Sequence, residues 1–161
     1  MIATTQAASK KHICGGIVIF KHCKEIGLKK FLMLQAPGHL TWGFPKGHVE
    51  ESDSGLLSAA LRETLEETGL RNEEHYKLVL PDKLHFDSEY VMPNGQEKLV
   101  QYFFGELNPE VEFDKVFRLS EEHIGFRWMS SDECKALGLY QATQDVFKFA
   151  EANLKEVCDS K

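Results

Sequence analysis

Arg62-Glu63-Thr64-Leu65-Glu66-Glu67-Thr68-Gly69-Leu70 is the stretch on which the reading of this chain turns. Leu57, Ala60, Leu61, Thr64 and Leu65 recur at helical spacing, so the segment from about Ser54 to Thr68 reads as an amphipathic helix. Ser52, Asp53 and Ser54 offer N-caps, and Gly69 is placed to end it. Glu63, Glu66 and Glu67 stand at i, i+3 and i+4 and are expected to project from one face, away from the leucine stripe. Like charges at that spacing destabilise a helix by roughly 0.2–0.5 kcal/mol per pair. Arg62, positioned to reach Glu66, is the nearby cation on the helix and offsets only part of the charge.

A solvated acidic face is the ordinary explanation for a Glu-rich surface helix. Two neighbouring features argue against it. Glu50 and Glu51 lie just upstream and are placed to converge on the same face. Trp42-Gly-Phe-Pro-Lys-Gly-His-Val-Glu50 reads as a shaped loop, with Lys46 held between Pro45 and Gly47. Carboxylates beside a Lys-bearing glycine loop suit hard divalent cations bridged to phosphate oxygens. The all-oxygen set selects Mg²⁺ or Mn²⁺ over zinc.

Outward from this segment, His12 to Phe20 is a β-branched run expected to form a central strand, with Gly15 and Gly16 permitting close backbone approach. Lys30 to Gln35 is a second strand, followed by a turn at Pro37-Gly38. Tyr76 to Leu80 and Lys83 to Tyr90 are weaker strand candidates. Pro93-Asn94-Gly95 turns a hairpin into Lys98 to Leu107, and Phe126 to Met129 is a short last strand. A second helix is expected from about Gln141 to Val157, burying Val146, Phe149, Ala150, Leu154 and Val157. Strands interrupted by two substantial helices predict an α/β (α+β) fold, a mixed sheet sandwiched between helices.

The 161 residues suit one domain, expected over residues 12–158 behind a flexible tail of residues 1–11. With 25 acidic against 19 basic side chains, the net charge of −6 argues against a general binder of long nucleic acid. No apolar segment predicts a signal peptide or a membrane span. Cys14, Cys23, Cys134 and Cys158 show no C-x-x-C pair, so free, reduced thiols and a cytoplasmic address are expected.

Gly47 followed by Arg62-Glu63-Thr64-Leu65-Glu66-Glu67-Thr68-Gly69-Leu70 resembles the Nudix box, G-x5-E-x7-R-E-U-x-E-E-x-G-U with U aliphatic. The second half matches nearly completely. In the first half the isolated glutamate is replaced, with Asp53 and Ser54 as the two candidates for its place, and Thr64 stands at the first U. The resemblance implies a Nudix-like α/β/α sandwich with a mixed sheet and a catalytic loop-helix-loop. Leu34-Gln-Ala, Trp42, Pro45-Lys-Gly-His-Val-Glu50, and Leu119-Ser-Glu-Glu-His123 before Phe126-Arg-Trp128 are similar to the animal-type asymmetric diadenosine tetraphosphate (Ap4A) hydrolases of that family.

Carried over, the resemblance implies Glu63 as general base or its metal-bound partner, and Glu63, Glu66, Glu67 and Glu122 as ligands of Mg²⁺, with Mn²⁺ a substitute. Arg62 would orient the carboxylates. Lys46, Gly47 and Lys98 would meet the polyphosphate, and Tyr140, with Phe86 or Tyr90, would stack on adenine. The implied reaction is Ap4A plus water to ATP plus AMP, by a monomer acting on a small nucleotide, with no membrane partner. Other nucleoside diphosphate derivatives, an RNA 5′ end, or a non-catalytic nucleotide-sensing module are the alternatives. Three mutually repelling carboxylates favour an enzyme over a sensor. His48 is expected to make a structural hydrogen bond in a turn, and His12, His22, His75 and His85 have no constellation around them. His123 is expected to orient Glu122, Trp128 to belong to the core, and one of Phe103 and Phe104 to border the cleft.

Overall fold

A computed structural model describes residues 11–23, 28–38 and 41–159. The expected tail, residues 1–10, lies outside the described residues, as do the side chains of Cys23, Val157 and Cys158. Lys11, expected to close that tail, pairs with Glu89 at 3.1 Å.

Among the described residues, eight strands form one mixed sheet: β1 His12–Cys23, β2 Leu28–Gln35, β3 Trp42–Gly43, β4 Lys46–His48, β5 Tyr76–Leu78, β6 Phe86–Val91, β7 Glu97–Leu107 and β8 Gly125–Met129. Its main path runs β3-β2-β1-β7-β5, with β4 beside β1, β6 beside β7 and β8 beside β2. The long apolar β1 lies at the centre. It runs parallel to β7, from His12 opposite Lys98 to Phe20 opposite Glu106, and every other pairing is antiparallel. The hairpin at Pro93-Asn94-Gly95 joins β6 to β7 as expected, with Gly95 at φ 86°.

Helices cover both faces. Helix α1, Leu56–Thr68, packs with Leu56, Leu57 and Ala60 on Ile17, Ile19, Leu32, Leu34 and Phe103, alongside the short α2, Phe113–Val116. On the opposite face, α3, Ser131–Ala136, and α4, Gln141–Asp159, bury Cys134, Val146, Phe147, Ala150 and Leu154 against Val18, Phe31, Phe44 and Phe104. The α/β/α sandwich is thus as expected, and period-2 alternation assigns the strand residues to its two cores. Phe103 and Phe104 are both core, one in each layer, and neither borders a cleft. Trp128 is half-buried against Phe113, with Lys21 Nζ 4.4 Å above its ring. Tyr102, two residues along β7 from Val100, takes the cleft position instead.

The helix start differs from expectation. Its N-cap is Gly55, with no side-chain cap, because Asp53 engages Arg62 rather than the free N–H groups. Gly69 ends the helix in the left-handed conformation, as expected. What brings α1 down on the sheet is a cross-strand glycine pair, Gly15 in β1 opposite Gly47 in β4. A Cβ at Gly15 would overlap the Leu56 carbonyl and reach 3.2 Å from Ala60 Cβ. Gly15→Ala should therefore lower unfolding free energy by about 1–3 kcal/mol through overpacking, measured as a lower urea midpoint with unchanged slope.

Candidate active site

The site forms where β4 runs along α1. Leu56, Ala60, Glu63 and Glu67 recur at helical spacing, so the row of α1 that faces the glycine pair ends in two carboxylates. A Cβ at Gly47 would overlap the Glu63 carboxyl group, so glycine is the residue that lets strand and carboxylate meet. One residue earlier, the Lys46 backbone N–H donates to Glu67 Oε1 at 3.1 Å. The three glutamates therefore do not share one solvent-facing side: Glu66 is exposed, Glu63 half-buried, and Glu67 only 7% exposed in the seam.

Arg62 ties these groups together. Its Nε and Nη2 donate to the two Asp53 oxygens at 3.1 and 2.9 Å, and Nη1 donates to Glu63 at 2.9 Å and Glu66 at 3.3 Å. Nη2 also donates to the His48 carbonyl at 3.0 Å. Of the two candidates for the missing box glutamate, Asp53 is the one joined to the arginine. The additional residue is absorbed in a turn where Asp53 N–H donates to the Glu50 carbonyl at 2.9 Å and Glu50 N–H to Asp53 Oδ2 at 2.8 Å. Glu50 itself reaches Arg62 at 3.6 Å; Glu51 is exposed. The Arg62 hydrogen bonds hold the Asp53 carboxyl below the usual carboxylate range, and Asp53 in turn holds the guanidinium above its ordinary value.

Burial drives the remaining titrations. Glu67 is pushed up to about 7, first by loss of water and then by the negative charges of Glu63 and Glu122. Glu63 is raised by burial and by Glu66 and Glu122, against the pull of Arg62. Lys46 is lowered by burial and by the charge of Lys98, with Glu67 opposing. Glu122 is exposed on the segment before β8, which is pinned to the end of α1 by Arg118 N–H to Thr68 O at 2.8 Å and Ser120 N–H to Glu67 O at 3.1 Å.

Among the described residues no three His, Cys, Asp or Glu side chains converge on one point, and Arg62 binds both Glu63 and Glu66. The donor chemistry nevertheless fits a hard cation. Every group is a carboxylate, and the two most buried are raised first by loss of water and then by neighbouring negative charge, which a cation would offset. Glu63, Glu66, Glu67 and Glu122 are the residues that could hold it.

Beside this cluster opens a cavity of about 620 Å³, lined by Trp42, Phe44, Lys46, Tyr90, Tyr102, His123 and Tyr140 among others. Tyr90 and Tyr140 thus reach one space, Tyr140 being 70% exposed. Phe86 does not line this cavity; it packs on Phe149 at 4.9 Å. Lys98 lies opposite Tyr90 and His12, outside the lining. Trp42, Phe44 and Tyr102 were not among the expected site residues, although Trp42 and Phe44 lie in the quoted loop and Tyr102 stands at an alternate position from Lys98 in β7. His123 bonds Ser120 Oγ at 3.0 Å rather than Glu122. His48 sits in β4, not in a turn, and His12 has partners after all: His48 at 3.0 Å and Gln96 at 2.8 Å.

The NUDIX domain model matches residues 16–149, and the chain belongs to the Nudix family. Rat asymmetrical bis(5′-nucleosyl)-tetraphosphatase is 34% identical over 132 residues, covering 80% of this chain and 84% of its own. The pig enzyme of the same name is 34% identical over 120 residues, 74% of this chain and 76% of its own. A solved binary complex of a C. elegans Ap4A hydrolase matches with a TM-score of 0.75 at 27% identity, over 90% of this chain and 98% of that one. Nudix hydrolases generally use divalent metal ions. Among the described residues no helix is long and apolar enough to cross a membrane.

Glu67 has a measurable consequence for stability. The folded chain keeps its proton up to about pH 7, whereas an unfolded glutamate releases it near 4.5. Stability of the metal-free protein therefore falls as pH rises through that window. Glu67→Gln should stabilise the metal-free protein at pH 8 by about 2 kcal/mol, a Tm increase of roughly 4–8 °C that disappears near pH 4.5. Scanning calorimetry in EDTA at both pH values measures it.

Proposed function

We propose that this chain is a divalent-metal-dependent hydrolase of dinucleoside polyphosphates, converting Ap4A and water to ATP and AMP. The observation that carries this reading is the seam at Lys46 and Gly47. There one strand segment touches both Glu63 and Glu67 and also lines an aromatic cavity. The relatives named above support the asymmetric cleavage, and their names give the substrate class.

Mg²⁺ is the cation proposed, held by Glu63, Glu66, Glu67 and Glu122, with Mn²⁺ as a substitute. When bound it supplies charge neutralisation at the phosphate oxygens and makes the attacking water more acidic. The chain's own groups do the rest. Tyr140 and Tyr90 clasp one adenine in the cavity, Lys46 and Lys98 orient the polyphosphate, and Glu63 takes the proton from water. Arg62, fixed by Asp53, holds the carboxylates in register. Phe86 takes no part in the clasp, being packed against Phe149. Free thiols at Cys14 and Cys134 support a cytoplasmic address, and a monomer suffices for the site.

With Mg²⁺ and a panel of nucleotides, ion-exchange chromatography should resolve ATP and AMP from Ap4A. Two ADP molecules, or preferential turnover of ADP-ribose or capped RNA, would reject this assignment. Glu63→Gln should lower kcat by roughly 10²–10⁴, the usual worth of a positioned base. Near-wild-type turnover would remove Glu63 from that role.

A further inference from the structure

The connection between α2 and β8 is closed on itself where it passes the site. It turns at Ser120-Glu121-Glu122-His123, with the His123 backbone N–H donating to the Ser120 carbonyl at 3.1 Å. That single bond is all a four-residue turn of this kind uses. Here the side chains of the same two residues meet as well, Ser120 Oγ standing 3.0 Å from His123 Nδ1. A hydroxyl both donates and accepts, so this second bond survives either tautomer of the ring. Glu121 and Glu122 are the two residues enclosed. Both ends of the turn are fixed to other elements: Ser120 N–H donates to the Glu67 carbonyl at 3.1 Å, and Ile124 N–H to the Gln35 carbonyl at 2.7 Å.

The two halves of the site meet in this turn. Toward α1, the charge of Glu122 is felt by both Glu63 and Glu67, whose carboxyls it helps to raise. Toward the cavity, His123 forms part of the wall that also holds Trp42, Tyr90 and Tyr140. Its Nδ1 is engaged by Ser120, and Nε2 has no hydrogen-bond partner among the described residues. Nε2 is therefore the nitrogen available to a molecule in the cavity. Ser120 holds both halves, the imidazole by its hydroxyl and the Glu67 backbone by its amide. Without the hydroxyl the ring rotates independently of the peptide that carries Glu122; with it, ring and turn move together.

We propose that Ser120 is a positioning residue: by clamping the His123 ring it fixes Glu122 beside Glu63 and Glu67, and makes affinity for the divalent ion depend on whether the aromatic cavity is filled. This rests on the dinucleoside polyphosphate reading above and adds a coupling between its two sites. A base that touches the ring holds the clamp in one arrangement, and the ion then favours the base by the same factor.

Adenosine is the probe, because it fills the cavity and brings no phosphate to the ion. Saturating adenosine should tighten Mn²⁺ binding to the full chain roughly five-fold, read as free Mn²⁺ by electron paramagnetic resonance. In the metal-free chain adenosine should shift the His123 imidazole signals in ¹⁵N NMR spectra. Ser120→Ala should weaken Mn²⁺ binding and reduce the effect of adenosine to less than about two-fold, and Ser120→Thr, which keeps the hydroxyl, should restore it. Equal Mn²⁺ affinity with and without bound adenosine, or no adenosine binding, would overturn the coupling, as would a Ser120→Ala chain that keeps it. The comparison on the unaltered chain decides the coupling even where the alanine variant misfolds. If no dinucleoside polyphosphate is turned over, the functional reading fails while the Mn²⁺ titrations still test the clamp.

Discussion

The contact of β4 with α1 is the constraint on which the rest of the site depends. It is made of three parts that support one another. Gly47 lets the Glu63 carboxyl group come against the strand, the Lys46 N–H holds Glu67, and Arg62 reaches back to the His48 carbonyl. Each part places a charged group where water is scarce, which is costly unless the group is hydrogen-bonded. Glu67 keeps a protein hydrogen bond and still titrates near 7, so the seam is satisfied sterically and strained electrostatically. A cation held there would relieve that strain, and Arg62 already draws two of the carboxylates together.

The sheet converts this local contact into a two-sided site. Because β1 is parallel to β7 and antiparallel to β4, its first residues lie between Lys98 on one side and the Lys46–His48 strand on the other. Gly16 contributes to this placement: a Cβ there would come within 2.9 Å of both Lys46 Cβ and the Tyr102 ring. The aromatic wall and the cationic row are therefore products of the same backbone register, and neither is moved without the other.

Much of this was legible in the sequence, for identifiable reasons. The helix, its Gly69 stop and the hairpin at Pro93-Asn94-Gly95 follow from local periodicity and turn chemistry, which tertiary packing did not override. The box residues followed from fixed spacing on one helix. The failures have a different origin. Reading Glu63 and Glu67 as pointing away from the apolar stripe assumed a helix with one buried side, whereas the glycine pair draws the carboxylate row toward the sheet. Asp53 was read as a cap because capping is a local event, and its actual partner is nine residues away. The bond between His12 and His48 depends on strand pairing across 36 positions, and no pattern within either segment announces it.

Charge separation in this site is achieved by a single short strand. Along β4 the side chains of Lys46 and His48 share one face, with Lys46 lining the cavity, and the missing side chain of Gly47 admits Glu63 from the helix side. Opposite charges a few ångströms apart attract by about 4 kcal/mol at an effective dielectric near 20, enough to collapse into ion pairs. The strand backbone stands between them and prevents it: Lys46 meets Glu67 through its amide N–H rather than its ammonium group. In the function proposed, the ammonium is thereby left for an anion and the carboxylates for a cation, and a phosphate chain carrying its own divalent ion would satisfy both at once. On these terms an acidic protein would hold a polyanion because the two charges are kept apart by covalent structure rather than by distance.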